Sequence, residues 1–143
     1  MKFENYMSLE FPSKSCNEAF ARSAVACFAS QMDPTLDELG DIRTAVSEAV
    51  TNCIVHAYPN GLGTISIRCR ILKDNVFDIV IKDKGVGIAD IEKAKVPMYT
   101  TGGDDRSGMG FTIMESFMTY FHVTSIPNKG TTVHMRRKLQ RRK

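Results

Sequence analysis

Three short stretches hold residue types that can do chemistry. In Ser47-Glu-Ala-Val-Thr-Asn52, Glu48 and Asn52 stand four apart, so on a helix they share one face, a turn from each other. A carboxylate there can take a proton or orient a water, and an amide oxygen suits a hard cation such as Mg2+. Among Val46, Ala49, Val50, Cys53 and Ile54 the same pair also fits a solvated helix stripe closed by an i,i+4 hydrogen bond. In Asp83-Lys84-Gly85-Val86-Gly87, the carboxylate can accept from a donor such as an exocyclic amine, and alternate glycines let a ligand approach the backbone. A plain strand-ending turn would look the same. In Arg106-Ser107-Gly108-Met109-Gly110, glycines ahead of a helical pattern offer free N–H groups to an anion, with Arg106 adding charge. Ser107 as the N-cap of an ordinary loop–helix junction is the alternative.

Several chemistries are excluded. A dinucleotide fingerprint fails twice, because its third glycine position is Asp90 in one candidate and Ile113 in the other. No G-x-x-x-x-G-K-[ST] occurs, which removes P-loop NTPases, and no H-R-D with D-F-G occurs, which removes the ordinary protein-kinase fold. The cysteines Cys16, Cys27, Cys53 and Cys69 form no C-x-x-C pair, and His56, His122 and His134 do not complete a zinc set. Reduced, mostly buried thiols in a cytoplasmic protein are expected.

The elements that must hold these stretches follow from periodicity. Residues 5–11 alternate loosely and read as a strand ending at Pro12. Residues 15–32 carry Ala19, Phe20, Ser23, Ala24, Cys27 and Phe28 at helical spacing, until Asp33-Pro34 breaks the pattern. Thr35 with Glu38 forms a capping box for a second helix. Its apolar positions are Leu36, Leu39, Ile42, Val46, Val50, Cys53 and Ile54, and it runs to about His56 before Pro59-Asn60-Gly61. The period then changes to two. Gly63–Leu72 and Val76–Asp83, joined by Lys73-Asp74-Asn75, read as a hairpin. Some 25 residues from Lys84 to Ser107, dense in Gly, Asp, Lys and Thr, form a loop long enough to be functional. A helix over Gly108–Met118, a strand over Tyr120–Ile126, a turn at Pro127–Gly130 and a strand over Thr131–Lys138 complete the chain. The order predicts an α+β fold: a two-layer sandwich with a mixed, mostly antiparallel sheet covered on one face by helices.

The 143 residues suit one domain, with 43% hydrophobic and 24% charged residues. We expect that domain over residues 1–138 and a basic tail over 139–143. The net charge of +3 is unevenly placed: the last nine residues hold six basic and no acidic side chains, leaving 13 basic against 16 acidic elsewhere. The basic character is a tail property. Without an aromatic–basic platform it does not argue for direct nucleic-acid binding. The longest apolar run, Ala24–Ala29, is too short for a membrane span, and Glu4 and Asn5 interrupt any apolar stretch after Met1. A cytoplasmic protein without a membrane segment is expected.

In order and spacing the three motifs together resemble the GHKL ATPase superfamily, which includes gyrase B, histidine kinases and MutL. More narrowly, Ser47–Asn52, Asp83-Lys-Gly-Val-Gly-Ile88 and Arg106-Ser-Gly-Met-Gly-Phe-Thr-Ile-Met-Glu115 resemble the anti-sigma serine kinases of spore-forming bacteria, most closely the sporulation anti-sigma F branch. The resemblance spans about Met7 to Met135 and implies the Bergerat ATP-binding fold. It implies a protein that binds ATP and Mg2+, sequesters a sigma factor from RNA polymerase and phosphorylates a serine of an anti-anti-sigma factor. It further implies a homodimer, and the first helix with Arg22 is a plausible partner face. By the same resemblance Asn52 holds Mg2+ and Glu48 is the general base. Asp83 recognises adenine with help from Thr131, and Gly85 and Gly87 let the base sit close. Ser107, Gly108 and Gly110 face phosphate, with Arg106 at the γ-phosphate. Tyr99, Thr100, Thr101, Asp104 and Asp105 belong to a lid. Cys53 departs from the alanine usual after the Asn, a small change at a packed position, and Tyr58-Pro-Asn-Gly61 is short for the family. His56 reads as structural. The rival readings are a general-stress anti-sigma B type serine kinase, a non-catalytic ATP-gated anti-sigma module and a histidine-kinase catalytic domain. Glu48 argues against the second, and the chain length against the third.

Overall fold

The computed structural model describes residues 3–88 and 110–140. Strands β1 (Phe3–Pro12), β2 (Thr64–Leu72), β3 (Val76–Asp83), β4 (Tyr120–Ile126) and β5 (Gly130–Lys138) form one sheet in the order β1-β2-β3-β5-β4. Every described pairing is antiparallel, where the sequence allowed a mixed sheet. Two of the four pairings, β2–β3 and β4–β5, are tight hairpins; in the first, Asp74 and Asn75 turn the chain at φ of 65° and 62°, the left-handed conformation that Asp and Asn tolerate best after glycine.

Three described helices cover one face: α1 (Asn17–Ala29), α2 (Leu36–Asn52) and α3 (Gly110–Phe117). The expected capping box opens α2. The Glu38 N–H donates to Thr35 Oγ1 at 3.0 Å, and the Thr35 N–H to Glu38 Oε1 at 2.9 Å. Alternation then buries Ile65, Ile67 and Cys69 of β2 and Phe77, Ile79 and Ile81 of β3 against Val25, Ile42, Val46, Val50 and Met114 of the helices. Each large side chain so buried contributes about 1.5–3 kcal/mol.

The phase of α1 differs from expectation. Its buried residues are Ala21, Val25, Ala26 and Ala29, while Ala19, Phe20, Ser23 and Cys27 face solvent. Phe20 misleads the pattern: it lies against the edge of Phe11 with ring centroids 6.2 Å apart, yet remains 54% exposed. Leu36 is likewise exposed, as befits a first helical residue. Two of the four free cysteines, Cys16 and Cys27, are exposed, so the thiols are only half of them buried.

Across the opposite sheet face runs a register row, Tyr6–Arg70–Asp78–Arg136–Tyr120. Asp78 at its centre is fully buried and accepts from His134 Nε2 (2.6 Å), Arg136 Nε (2.8 Å) and Arg70 Nε (3.1 Å). Burial opposes its ionisation, but these partners outweigh burial and hold its carboxyl below the ordinary value. Burial, with Asp78 nearby, pushes the Cys69 thiol up to about 12.

Past the end of β5 the next two residues still pack on the sheet and α2. Leu139 is buried and its N–H donates to Asn75 O at 2.8 Å, while the Gln140 N–H donates to Glu38 Oε2 at 2.7 Å.

Candidate functional site

Helix α2 carries Glu48 and Asn52 on one face, both half-buried. Their environment is therefore no solvated stripe. Gly110, the first residue of α3, lies against the pair. A Cβ built on Gly110 would stand 3.1 Å from Asn52 Nδ2 and 3.3 Å from both Asn52 Oδ1 and Glu48 Oε2. Only a residue without a side chain lets the α3 backbone rest on this pair without displacing it.

Beyond Asn52 the helix widens into a π turn, Cys53–Ala57. Such turns re-aim side chains and carbonyls. Here Cys53 Sγ reaches Asp83 Oδ2 at 3.4 Å and Ala57 O accepts from the Val86 N–H at 2.9 Å. Asp83, the last residue of β3, is 8% exposed. Its Oδ1 accepts from the Gly85 N–H (2.9 Å) and the Thr131 N–H (3.2 Å). A buried carboxylate held by three donors is oriented, and an ionised Oδ2 still has room for a further donor.

Backbone geometry keeps that surface bare. Gly87 has φ of 78°, and a Cβ there would meet Ile126 O at 2.5 Å; Gly130, at φ of 119°, would meet Asp83 O at 2.1 Å. Gly85 is pressed equally hard against Ala57 O. The β4–β5 turn clamps the Gly87 segment: the Asn128 N–H donates to Val86 O at 2.7 Å and the Ile88 N–H to Ser125 Oγ at 2.7 Å.

Thr131 therefore reaches Asp83 through its backbone. Its hydroxyl pairs with Ser125 Oγ at 2.9 Å. Three residues not singled out as site residues support the arrangement: Cys53, Ser125 and Tyr58. The Tyr58 hydroxyl accepts from the Lys84 N–H at 2.8 Å and donates to Thr64 O at 2.7 Å, tying the start of the Asp83–Gly87 segment to β2. Burial raises its pKa, and burial together with the Asp83 charge pushes that of Cys53 well up, so both stay protonated donors at neutral pH. The aromatic ahead of Pro59 was a usable signal for Tyr58; Ser125, in an ordinary strand pattern, gave none.

The structure thus joins Glu48, Asn52 and Gly110 in one cluster and Asp83, Gly85 and Thr131 in a second, with Cys53 beside Asn52 linking the two. Arg106, Ser107 and Gly108, and the lid residues Tyr99 to Asp105, lie outside the described residues. No group of three or more His, Cys, Asp or Glu that would hold a metal occurs among the described residues. The amide oxygen of Asn52 fits Mg2+, which commonly takes one or two protein oxygens together with phosphates. Among the described residues no helix is long and apolar enough to cross a membrane.

A family model described as the histidine kinase-like ATPase domain matches residues 11–137. An anti-sigma F factor of Caldanaerobacter subterraneus subsp. tengcongensis is 56% identical over 136 residues, with 94% of each chain covered. One from Geobacillus kaustophilus is 51% identical over 143 residues, covering 97% of this chain and 96% of its own. The crystal structure of the RsbU and RsbW domains of a Mycobacterium tuberculosis protein shares the fold, with a TM-score of 0.71 at 15% identity over 95% of this chain and 32% of that one.

Proposed function

The chain belongs to the histidine kinase-like ATPase family, and from that premise we propose that it is an anti-sigma factor and an ATP-dependent protein serine kinase. It binds ATP with Mg2+, holds a sporulation sigma factor away from RNA polymerase, and phosphorylates a serine of that factor's small anti-anti-sigma antagonist. The 51–56% identity to anti-sigma F factors over nearly the whole chain supports the partner assignment. The observation that carries the chemistry is Gly110 resting on Glu48 and Asn52, one residue from the Cys53–Asp83 contact.

In this reading Asp83 Oδ2 accepts the exocyclic amine of adenine, and Gly85 and Gly87 let the base lie against the backbone. Thr131, with Ser125 behind it, fixes the carboxylate. Asn52 would hold Mg2+, which when bound neutralises charge on the phosphates. Glu48 takes the proton of the attacking serine hydroxyl as the serine oxygen bonds to the γ-phosphorus and ADP departs. Phosphoryl transfer asks mainly for alignment and charge neutralisation, and Arg106 is assigned to the γ-phosphate on that ground. Ser107, Gly108 and Gly110 offer backbone N–H groups to the phosphates. The protein is assigned to the cytoplasm, as a single ATP-binding domain that acts as a homodimer.

The test is transfer from radiolabelled ATP to the serine of an anti-anti-sigma protein. The wild-type protein should transfer phosphate, and Glu48→Gln should lose transfer while retaining most ATP affinity. An inactive wild type that still binds ATP and sigma factor would instead make the chain an ATP-gated binding module.

A further inference from the structure

Cys53 lies in a part of the site that the proposed mechanism leaves without a role. It is buried, at 6% exposure, directly after Asn52 in the π turn that ends α2. Its Sγ is 3.4 Å from Asp83 Oδ2, 30 residues away in sequence. The two oxygens of Asp83 are held differently. Oδ1 accepts two backbone N–H groups, from Gly85 and Thr131, which fix that oxygen to the strand ends. Among the described residues the donor to Oδ2 is the Cys53 thiol.

That asymmetry has a consequence. A carboxylate held at one oxygen alone can still swing its second oxygen. A donor on Oδ2 fixes it, and an ionised carboxylate oxygen keeps a further lone pair for an incoming ligand. A thiol is a weak donor, so it restrains Oδ2 and leaves acceptor capacity on it. The π turn makes the contact available, because the same backbone that carries Asn52 toward Gly110 carries Cys53 toward β3.

We propose that Cys53 is a positioning residue for base recognition: its S–H orients Asp83 Oδ2 toward the exocyclic amine of a bound adenine. The proposal rests on the nucleotide reading above. It names Cys53 as a contributor to adenine selectivity through Asp83, without contact to phosphate or metal.

The experiment compares ADP with its 6-deamino analogue, purine riboside diphosphate, by titration calorimetry on the full chain. The analogue lacks the amine that Asp83 would receive. Cys53→Ala should weaken ADP binding about three- to tenfold, the weight of one restrained hydrogen bond, and leave the analogue within about twofold. Cys53→Ser, which keeps a donor of similar size, should restore ADP affinity to within about twofold of wild type. The wild-type S–H stretching band, assigned by difference against Cys53→Ser, should shift when ADP binds and shift less with the analogue. An equal loss for both nucleotides in Cys53→Ala would make the residue mere packing and overturn the proposal. So would unchanged ADP affinity, or a band insensitive to ADP. A wild-type protein that binds ADP and the analogue equally would overturn the adenine role of Asp83 itself, a result distinct from failure of the Cys53 variants alone.

Discussion

Gly110→Ala separates the fold from the chemistry. The added methyl would lie 3.1 Å from Asn52 Nδ2 and 3.3 Å from Asn52 Oδ1 and Glu48 Oε2. All three are tips of flexible side chains, and relief takes a shift of a few tenths of an ångström. Pushing two side chains off their rotamers costs about 1 kcal/mol. Replacing a glycine at a helix start by alanine returns up to about 1 kcal/mol of backbone entropy. Net stability should therefore stay within about 1 kcal/mol of wild type, read as the urea midpoint with an unchanged m-value. The displaced atoms are, however, the proposed base and the proposed Mg2+ ligand. Misplacing such groups by about 1 Å costs around a hundredfold, so the smaller shift here should lower transfer about ten- to a hundredfold. Gly40→Ala is the control. It lies exposed within α2 with nothing within 4 Å of its added Cβ, and should gain about 0.5–1 kcal/mol with transfer unchanged. Wild-type transfer by Gly110→Ala would refute the claim that α3 begins on Glu48 and Asn52. A stability loss above about 2 kcal/mol would refute the claim that only side-chain tips yield.

Two further perturbations test the frame around the site. Asp78→Asn leaves Arg70, Arg136 and His134 around a neutral group, and should cost about 3 kcal/mol at pH 7 by urea unfolding, the low end for a broken buried pair because the cations remain partly solvated. Because the native carboxyl is depressed, its contribution is fully present above the unfolded-state pKa and is lost as pH falls through the native one. The gap between wild type and variant should accordingly close at acid pH, and a gap independent of pH would contradict the assignment. At the C-terminus, removing residues 141–143 should change the melting temperature little. Removing 139–143 also strips buried Leu139 and the two backbone donors at Asn75 and Glu38, and should cost about 3 kcal/mol. Equal melting temperatures for the two truncations would show that Leu139 packs against nothing of consequence.

The sequence was most readable where a short-range rule acts alone. The capping box at Thr35 and Glu38, the period-two hairpin of β2 and β3 and the strand after Pro127 all depend on near neighbours, and all appear. The phase of α1 was not readable, because an alanine-rich helix is apolar nearly all round and the large Phe20 outweighs the small residues that actually pack. Within the site, the four-residue spacing placed Glu48 and Asn52 on one face, but their cover by Gly110 arises from a contact across 58 to 62 residues that no local pattern encodes. The Cys53 thiol on Asp83 and the Ser125–Thr131 pair are equally non-local. The packing of Leu139 was not readable either, because it sits in a run of basic side chains.

The central claim, that Asp83 is the adenine-recognising carboxylate of an ATP site, is tested most directly by calorimetric titration of ATP and GTP into the wild-type protein and Asp83→Asn. The wild type should bind ATP in preference to GTP, and Asp83→Asn should lose about ten- to a hundredfold in ATP affinity with little change toward GTP, since hydrogen bonds to a charged group carry that weight. Undiminished ATP affinity in a folded Asp83→Asn protein, or a wild type that does not distinguish the two nucleotides, would contradict the account.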